Sequence, residues 1–255
     1  MKRLIDWIVL IPVLGAALLL PARLPAATKE CPNIPLPQVE AQTEKICETA
    51  YVSLYDAVLH SPRLVAYELT AKHTLGCLPR KANFHSEGPS AKASEYLDSG
   101  YDLGHMMSAE DASWRDDVSY DSFSMVNVAP QLGGLNRQQW ARLEESVRAW
   151  AWSRGDLIVY VGPIFSDKPK HLGKDVAVPS AFFKVLVDKK SGEVLAFEMP
   201  QKPINKGDLA PWITALQVIE SEAGIKFPGR QASDNALWPL DLSGWRKAHK
   251  EACGK

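Results

Sequence analysis

Five polar residues with the chemistry of a hydrolytic site occur in one part of the chain. His105 ends the sequence Asp-Leu-Gly-His at residues 102–105, and it is followed by Asn127, Asn136, Glu144 and Arg148. A histidine can accept a proton from water near neutral pH, an amide oxygen can ligate a hard divalent cation, and an arginine can bind a phosphate. These residue types therefore predict a site that hydrolyses phosphodiesters.

Each residue also has an ordinary structural interpretation when it is taken alone. Asn136 stands at the start of a predicted helix, where its side chain can cap the backbone. Glu144 and Arg148 are four residues apart, the spacing of a solvated ion pair on a helix. At about 100° per residue all three side chains fall within about 120° of arc, so they can face one cleft if the apolar stripe opens at the helix start. The combined pattern, in which these residues follow His105 in one order within about fifty residues, is what favours chemistry.

The order and spacing of these residues resemble one known family. Asn127 and Asn136 are separated by eight residues, and Glu144 and Arg148 follow Asn136 after seven and eleven residues. This pattern is similar to that of the DNA/RNA non-specific endonuclease family, the ββα-metal or His-Me finger enzymes that include endonuclease G. The resemblance extends through residues 65–69, 159–165, 178–184 and 196–200, so it covers most of the chain after the N-terminal segment.

The resemblance implies a fold and a set of roles. The expected fold is α+β, with a central antiparallel sheet flanked by helices and a ββα-metal (His-Me finger) active-site motif. His105 matches the general base that deprotonates the attacking water, and Asn136 matches the direct protein ligand of Mg²⁺. Glu144 matches a carboxylate that orients metal-bound water. The expected cofactor is Mg²⁺, or another divalent cation such as Mn²⁺.

The same resemblance implies roles for three further residues and indicates the substrates. Arg148 and Arg80 match arginines that contact the phosphate, and Asn127 matches an amide of the site. The implied activity is hydrolysis of DNA and RNA with little sequence specificity. No zinc finger, recognition-helix signature or basic arm is visible in the sequence, so contacts with phosphates would dominate binding.

One position departs from the family pattern. The usual motif is Asp-Arg-Gly-His, whereas this chain has Leu103 in place of the arginine. Leucine supplies neither a charge nor forked donors. Three alternatives stay open: activity is reduced, another cation replaces the arginine, or the substrate differs. The candidate cations are Arg80, Lys81, Arg115 and Arg137. The corresponding rival functions are a catalytically weakened nucleic-acid-binding relative and a phosphodiesterase for a different phosphate ester.

The N-terminus has the pattern of an export signal. Lys2 and Arg3 precede an apolar stretch from Trp7 to Leu20, and small residues follow before Thr28. The stretch is shorter than the ~20 residues of a membrane-spanning helix, which favours a signal peptide at residues 1–27 over an uncleaved anchor. We therefore expect a single endonuclease domain at residues 28–255 that is periplasmic or secreted and has no stable membrane association after cleavage.

The number of cysteines and the net charge give two further predictions. Cys31, Cys47, Cys77 and Cys253 all follow the expected cleavage point, and an even number in an exported chain favours two disulfides, with three pairings open. The formal net charge of the whole chain is −1. A polyanionic substrate would therefore need a local cationic cleft. The sequence gives no indication of the oligomeric state.

Periodicity predicts the elements that must hold these residues in place. The stretch at residues 81–100 is expected to be a long surface loop. A helix is expected to begin at about Asn136, after a break at Gly133 and Gly134, and to end at Gly155. The predicted strands cover residues 64–70, 124–128 (ending at Pro130) and 157–163, with a hairpin at 181–187 and 194–197. The last predicted helix covers residues 209–223.

Overall fold

A computed structural model describes residues 29–80, 83–173, 175–227 and 236–254 of the chain. The predicted signal peptide, residues 1–27, lies outside these residues. The strands are β1 (Gln38–Val39), β2 (Glu44–Cys47), β3 (Tyr51–Asp56), β4 (Ser61–Leu69), β5 (Tyr101–His105), β6 (Val128–Leu132), β7 (Leu157–Ile164), β8 (His171–Leu172), β9 (Val176–Ala177), β10 (Ala181–Asp188), β11 (Val194–Pro200) and β12 (Ile225–Lys226). The helices are α1 (Asp116–Ser122), α2 (Gly133–Leu135), a π-helical segment (Asn136–Trp140), α3 (Ala141–Arg154), α4 (Leu216–Ala223) and α5 (Leu242–Ala252). None of the described helices has the length and apolar character that a membrane crossing requires.

Six strands form the central sheet in the spatial order β11-β10-β7-β4-β3-β2, and every neighbouring pair is antiparallel. Successive side chains of a strand point to opposite faces, so the strands contribute to two cores. On β10, Phe182 and Leu186 pack in the core that includes α3, whereas Phe183 and Val185 pack in the core that includes α4. The expected α+β fold with a central antiparallel sheet flanked by helices is confirmed.

The elements with the strongest sequence patterns are also confirmed. The strand expected at residues 64–70 corresponds to β4, the run at 157–163 forms β7, and β10 and β11 form the expected hairpin. Among its described residues, the expected long loop contains a short 3-10 helix, Ala93–Tyr96, and an isolated bridge between His85 and Ser124. The helix α3 ends at Gly155, whose φ of 107° is accessible to glycine at little cost.

Predictions for the segment before α3 are wrong in three details. Residues 124–128 are not a strand, because Met125–Asn127 is a 3-10 helix and β6 begins at Val128. Pro130 lies within β6 rather than ending it. Within the described residues β6 has one neighbouring strand, and a proline is tolerated there because it interrupts only one side of the ladder. Gly133 begins the helical region instead of separating it from the preceding chain.

The helix predicted at residues 209–223 is confirmed over residues 216–223, but its predicted start is wrong and it is not the last helix of the chain. The helix α4 begins only at Leu216, because Ile213 forms a bridge with β11 and the N–H of Thr214 donates to a carbonyl of that strand. The helix α5 follows later and was not predicted. It begins after Asp241, whose carboxylate accepts a hydrogen bond from the N–H of Gly244 at 2.8 Å.

Both expected disulfides form. They pair Cys31 with Cys47 and Cys77 with Cys253, which selects one of the three open pairings. The first joins the N-terminal extended segment to β2. The second joins the residue that follows α5 to the segment that precedes Arg80, and it therefore connects the C-terminus to one wall of the candidate site.

Candidate active site

The hairpin of β5 and β6 positions His105. The two strands pair antiparallel from Tyr101 opposite Leu132 to His105 opposite Val128. Gly104 precedes the histidine, and a Cβ atom there would lie 2.6 Å from the Cβ of Gln131. A larger residue would push the strands apart, so the glycine allows the close pairing that fixes the neighbouring histidine.

A cleft of about 260 Å³ lies beside this hairpin. Five of the six predicted site residues line it: Arg80, His105, Asn136, Glu144 and Arg148. The elements that bring them together are β5, the π-helical segment and α3. Short π-helical segments within helices occur frequently at functional sites. Asn136, Glu144 and Arg148, whose spacing predicts that they can face one cleft, do line the same cleft.

Asn136 is oriented by a carboxylate and does not cap a helix. The helical region begins before it, at Gly133. Its amide nitrogen Nδ2 donates to Oδ2 of Asp102 at 2.9 Å. Because an ionised carboxylate only accepts hydrogen bonds, this contact assigns the nitrogen to Asp102 and leaves the amide oxygen Oδ1 for another partner. Arg137 donates from Nε to the same carboxylate oxygen at 2.8 Å and lowers the pKa of Asp102, so the acceptor stays charged.

His105 is buried between aromatic rings. Its ring centroid lies 5.0 Å from those of Phe84 and Phe123, and only 8% of the residue is exposed. Burial, with a smaller contribution from the positive charge of Arg80, lowers the pKa of His105 to about 3. The imidazole is therefore neutral at pH 7. Its Nε2 atom has no hydrogen-bond partner among the described residues.

Arg148 is buried and Glu144 is partly buried, and they do not form the solvated ion pair that their spacing permits. The side chain of Glu144 is 12% exposed and that of Arg148 is 9% exposed. Arg148 donates from Nη1 to Oδ1 of Asp111 at 2.8 Å and to Oγ of Ser108 at 3.2 Å. These partners hold the guanidinium at the wall of the cleft.

The sixth predicted residue, Asn127, lies under the cleft and does not line it. It is fully buried, and its Oδ1 accepts from the N–H of Met107 at 2.8 Å. Its Nδ2 donates to the carbonyls of Met107 at 2.9 Å and Ser122 at 2.8 Å. These three bonds fix the chain immediately after His105. The structure thus places this amide where it can act on the site through the backbone.

Leu103 lines the cleft, and two of the cations proposed to compensate for it do so as well. Arg80 and Arg137 are exposed at the cleft. Arg115 instead pairs with Asp117 at 2.5 Å and is not a cleft residue. Lys81 lies outside the described residues.

Three charged residues of this region were not predicted. Glu110 lines the cleft, Asp111 binds Arg148, and Lys184 lies beneath Glu144. Lys184 could have been found from the sequence, because it is a charged residue in the middle of β10, whose other residues before the terminal Asp188 are apolar. The two acids follow the histidine in an irregular segment, where periodicity gives no indication of direction.

The donors at the cleft suit a hard divalent cation. The oxygen of the Asn136 amide is left for a ligand, and the carboxylate of Glu144 faces the same cleft. Oxygen donors of this kind favour Mg²⁺, Mn²⁺ or Ca²⁺ over Zn²⁺. Among the residues that the structure describes, no group of three His, Cys, Asp or Glu side chains could hold a metal. A cation here would therefore keep most of its water.

A hairpin, a following helix and this set of cleft residues define a class, the hydrolytic nucleases of the ββα-metal type. The sequence model of the DNA/RNA non-specific endonuclease family matches residues 34–234. The chain belongs to this family, and the resemblance inferred from the motif is confirmed.

Individual relatives agree with the family match. The chain is 33% identical over 157 residues to "Nuclease 1, mitochondrial" of Schizosaccharomyces pombe, an alignment that covers 54% of this chain and 49% of the relative. It is 29% identical over 199 residues to "Endonuclease G, mitochondrial" of Homo sapiens, covering 70% and 67% of the two chains. It thus spans about half the length of the first relative and two thirds of the second. A solved structure titled "Crystal structure of the EndoG/EndoGI complex: Mechanism of EndoG inhibition" matches with a TM-score of 0.68 and 27% identity, and covers 73% of this chain and 86% of that one.

Proposed function

We propose that the chain is an exported, Mg²⁺-dependent endonuclease that hydrolyses phosphodiester bonds of DNA and RNA with little sequence specificity. The observation that carries this proposal is the convergence of His105, Asn136, Glu144 and two arginines on one cleft of a chain that belongs to a nuclease family. Mn²⁺ or a related cation can occupy the same oxygen donors.

In the proposed mechanism His105 acts as the general base. The imidazole is neutral at pH 7 and can accept a proton from the attacking water. Its aromatic surroundings hold the ring in place, and binding of an anionic phosphate close to it would raise the pKa and strengthen the base. Activity should fall at acidic pH, because a protonated imidazole accepts no proton.

Two arginines would bind the scissile phosphate. Arg80 is exposed at the cleft, and Arg148 is held at its wall by Asp111. Guanidinium groups can donate two parallel hydrogen bonds to phosphate oxygens and stabilise the additional negative charge of the transition state.

Asn136 would ligate the cation through Oδ1, with Asp102 holding its amide, and the carboxylate of Glu144 would accept hydrogen bonds from the water of the hydrated ion. A bound divalent cation supplies positive charge to the phosphate and to the leaving oxygen. Asn127 would keep the segment after His105 in position.

The surroundings of the cleft support a chain-like substrate. A second cleft of about 200 Å³ shares Arg80, Glu110 and Arg148 with the first, so the two adjoin. A nucleic-acid strand can continue from one into the other while it contacts the same arginines. Because such contacts are made with phosphates, salt should weaken binding, and single-stranded DNA, double-stranded DNA and RNA should all be cleaved.

A plasmid-nicking assay with the mature protein tests this proposal. We expect nicking with Mg²⁺, no nicking with EDTA, and a large loss of nicking in Asn136→Ala. Asn33→Ala is the matched control, because Asn33 is exposed on the N-terminal segment away from the cleft. If the wild-type protein shows no metal-dependent cleavage but still binds DNA, the weakened nucleic-acid-binding relative suggested by Leu103 is the better hypothesis.

Export is the part of the proposal that rests on the N-terminal sequence and on the disulfides. Two disulfides are typical of chains that fold in an oxidising compartment. Expression of the full chain in a bacterium, followed by mass spectrometry of the periplasmic and membrane fractions, tests it. We expect a soluble periplasmic protein that begins at Thr28. A product that retains residues 1–27 in the membrane fraction would instead support the uncleaved anchor.

A further inference from the structure

Lys184 is a fully buried lysine on a strand whose other residues are nearly all apolar. None of its surface is exposed, and its Nζ atom has no hydrogen-bond partner among the described residues. Nζ lies 3.9 Å from Oε1 of Glu144 and 4.9 Å from the ring centroid of Trp140. The lysine therefore lies between the central sheet and α3, directly beneath a side chain of the cleft.

Burying an ammonium group in this way is costly unless a negative charge compensates for it. Glu144 is the carboxylate that Lys184 meets at ion-pair distance. Asp111 also attracts the lysine, but it is already bound to Arg148. The charge of the lysine is thus directed mainly at Glu144, and the indole face of Trp140 adds a weaker cation–π attraction.

The ionisation of Glu144 depends on such a cation. Burial raises the pKa of its carboxyl group to about 7 even though Lys184 opposes this shift; Glu110 and Asp111 add to the shift, and Arg148 opposes it. Without Lys184, Arg148 would remain as an opposing cation among the described residues, and its guanidinium is already paired with Asp111. A protonated Glu144 would lose one acceptor oxygen and its charge towards the cleft.

Building on the proposed function, we propose that Lys184 is a positioning residue that holds Glu144 as a carboxylate facing the hydrated divalent cation. Lys184 itself does not line the cleft, so it would contact neither the substrate nor the cation. It acts through Glu144, and its effect should therefore appear in the affinity for the cation and in the pH dependence of that affinity.

The test is Lys184→Met, which keeps the aliphatic stem and removes the charge. The matched control is Lys189→Met, which removes an exposed lysine that pairs with Glu68 at 2.5 Å, outside the cleft. Mn²⁺ binding is measured by titration calorimetry from acidic to alkaline pH, together with plasmid nicking. We expect Lys184→Met to bind Mn²⁺ more weakly at pH 7, by up to about tenfold for each unit by which the pKa of Glu144 rises, and to recover as the pH rises. Lys189→Met should match the wild type.

A second measurement, the melting temperature of double variants, requires neither metal binding nor a stable Lys184→Met single variant. Glu144→Gln leaves the lysine buried without its counterion and should lower the melting temperature of the metal-free protein. Adding Lys184→Met to Glu144→Gln should restore part of that loss, since the two residues are coupled. Strictly additive effects on the melting temperature would overturn the pairing.

The outcomes separate this inference from the proposed function. If the wild-type protein binds Mn²⁺ and nicks DNA while Lys184→Met retains its affinity and pH profile, the positioning role is wrong and the nuclease proposal stands. If the wild-type protein neither binds Mn²⁺ nor nicks DNA, the nuclease proposal fails and the role towards the cation fails with it.

Discussion

The central sheet and the cleft differ in whether their buried polar groups have hydrogen-bond partners. In the sheet, Ser53 donates to a backbone carbonyl at 2.7 Å, and Asp188 accepts from two N–H groups of the turn after β10 at 2.8 and 3.1 Å. Two buried groups at or next to the cleft lack hydrogen-bond partners among the described residues: Nε2 of His105, which lines the cleft, and Nζ of Lys184, on the part of β10 beneath it. Buried groups without partners reduce stability, so the cleft and the part of the sheet beneath it retain polar groups at a cost that the rest of the sheet avoids.

The difference indicates which region serves folding and which serves a ligand. The sheet contributes apolar burial on both faces, and loss of an apolar side chain there should lower stability without changing chemistry. Loss of a side chain that lines the cleft should change chemistry first. Substitutions in the two regions should therefore have different effects on stability and on activity.

The largest contrast is expected between His105→Ala and Val185→Ala. His105→Ala should lower turnover by about 10²- to 10⁴-fold, the usual contribution of a general base, while DNA binding is retained. Val185→Ala, in the core on the α4 side of the sheet, should lower the free energy of unfolding by about 1–3 kcal/mol with turnover per folded molecule unchanged. Steady-state kinetics, DNA-binding titrations and denaturant unfolding measure the three quantities. Near-normal turnover in folded His105→Ala would remove the histidine from the mechanism.

The same division explains what the sequence could predict. Alternation and helical periodicity predict β4, β7, the β10–β11 hairpin and α3, because these elements bury apolar side chains in a regular pattern. The motif predicts that Asn136, Glu144 and Arg148 share the cleft, because their spacing along one helical region fixes their directions. It does not predict that Asn127 lies outside the cleft, because that position depends on backbone contacts of an irregular segment. Irregular contacts are not encoded in this way: the pairing of Ile213 with β11 shortens α4, and the partners of Asp102 and Asp111 are distant in sequence.

A smaller effect should follow from Asp102→Ala, which sharpens the assignment of the cleft to a cation. Removing this carboxylate frees the amide of Asn136 to rotate and leaves Arg137 unpaired. Loss of such an orienting partner typically weakens metal binding by about 10- to 100-fold. Mn²⁺ titration measures the effect, and Asp117→Ala is the matched control, since Asp117 is an exposed carboxylate that pairs with Arg115. Equal affinities in the two variants would show that Asp102 does not orient a ligand.

The smallest expected effect belongs to Leu103→Arg, which asks whether the cleft lacks a cation. Leu103 is half-buried on β5 and lines the cleft, so an arginine there can extend towards a bound phosphate. Leu97→Arg is the control, because Leu97 is 74% exposed and adds the same charge outside the cleft. We expect Leu103→Arg to tighten DNA binding by less than about tenfold and to steepen its salt dependence by about one phosphate contact. If the two variants behave alike, the gain reflects net charge, and Arg80 or Arg137 already supplies the cation that the family places at this position. If Leu103→Arg alone gains affinity and turnover, the leucine limits the enzyme, because one wall of an otherwise polar cleft is left without a donor to the substrate.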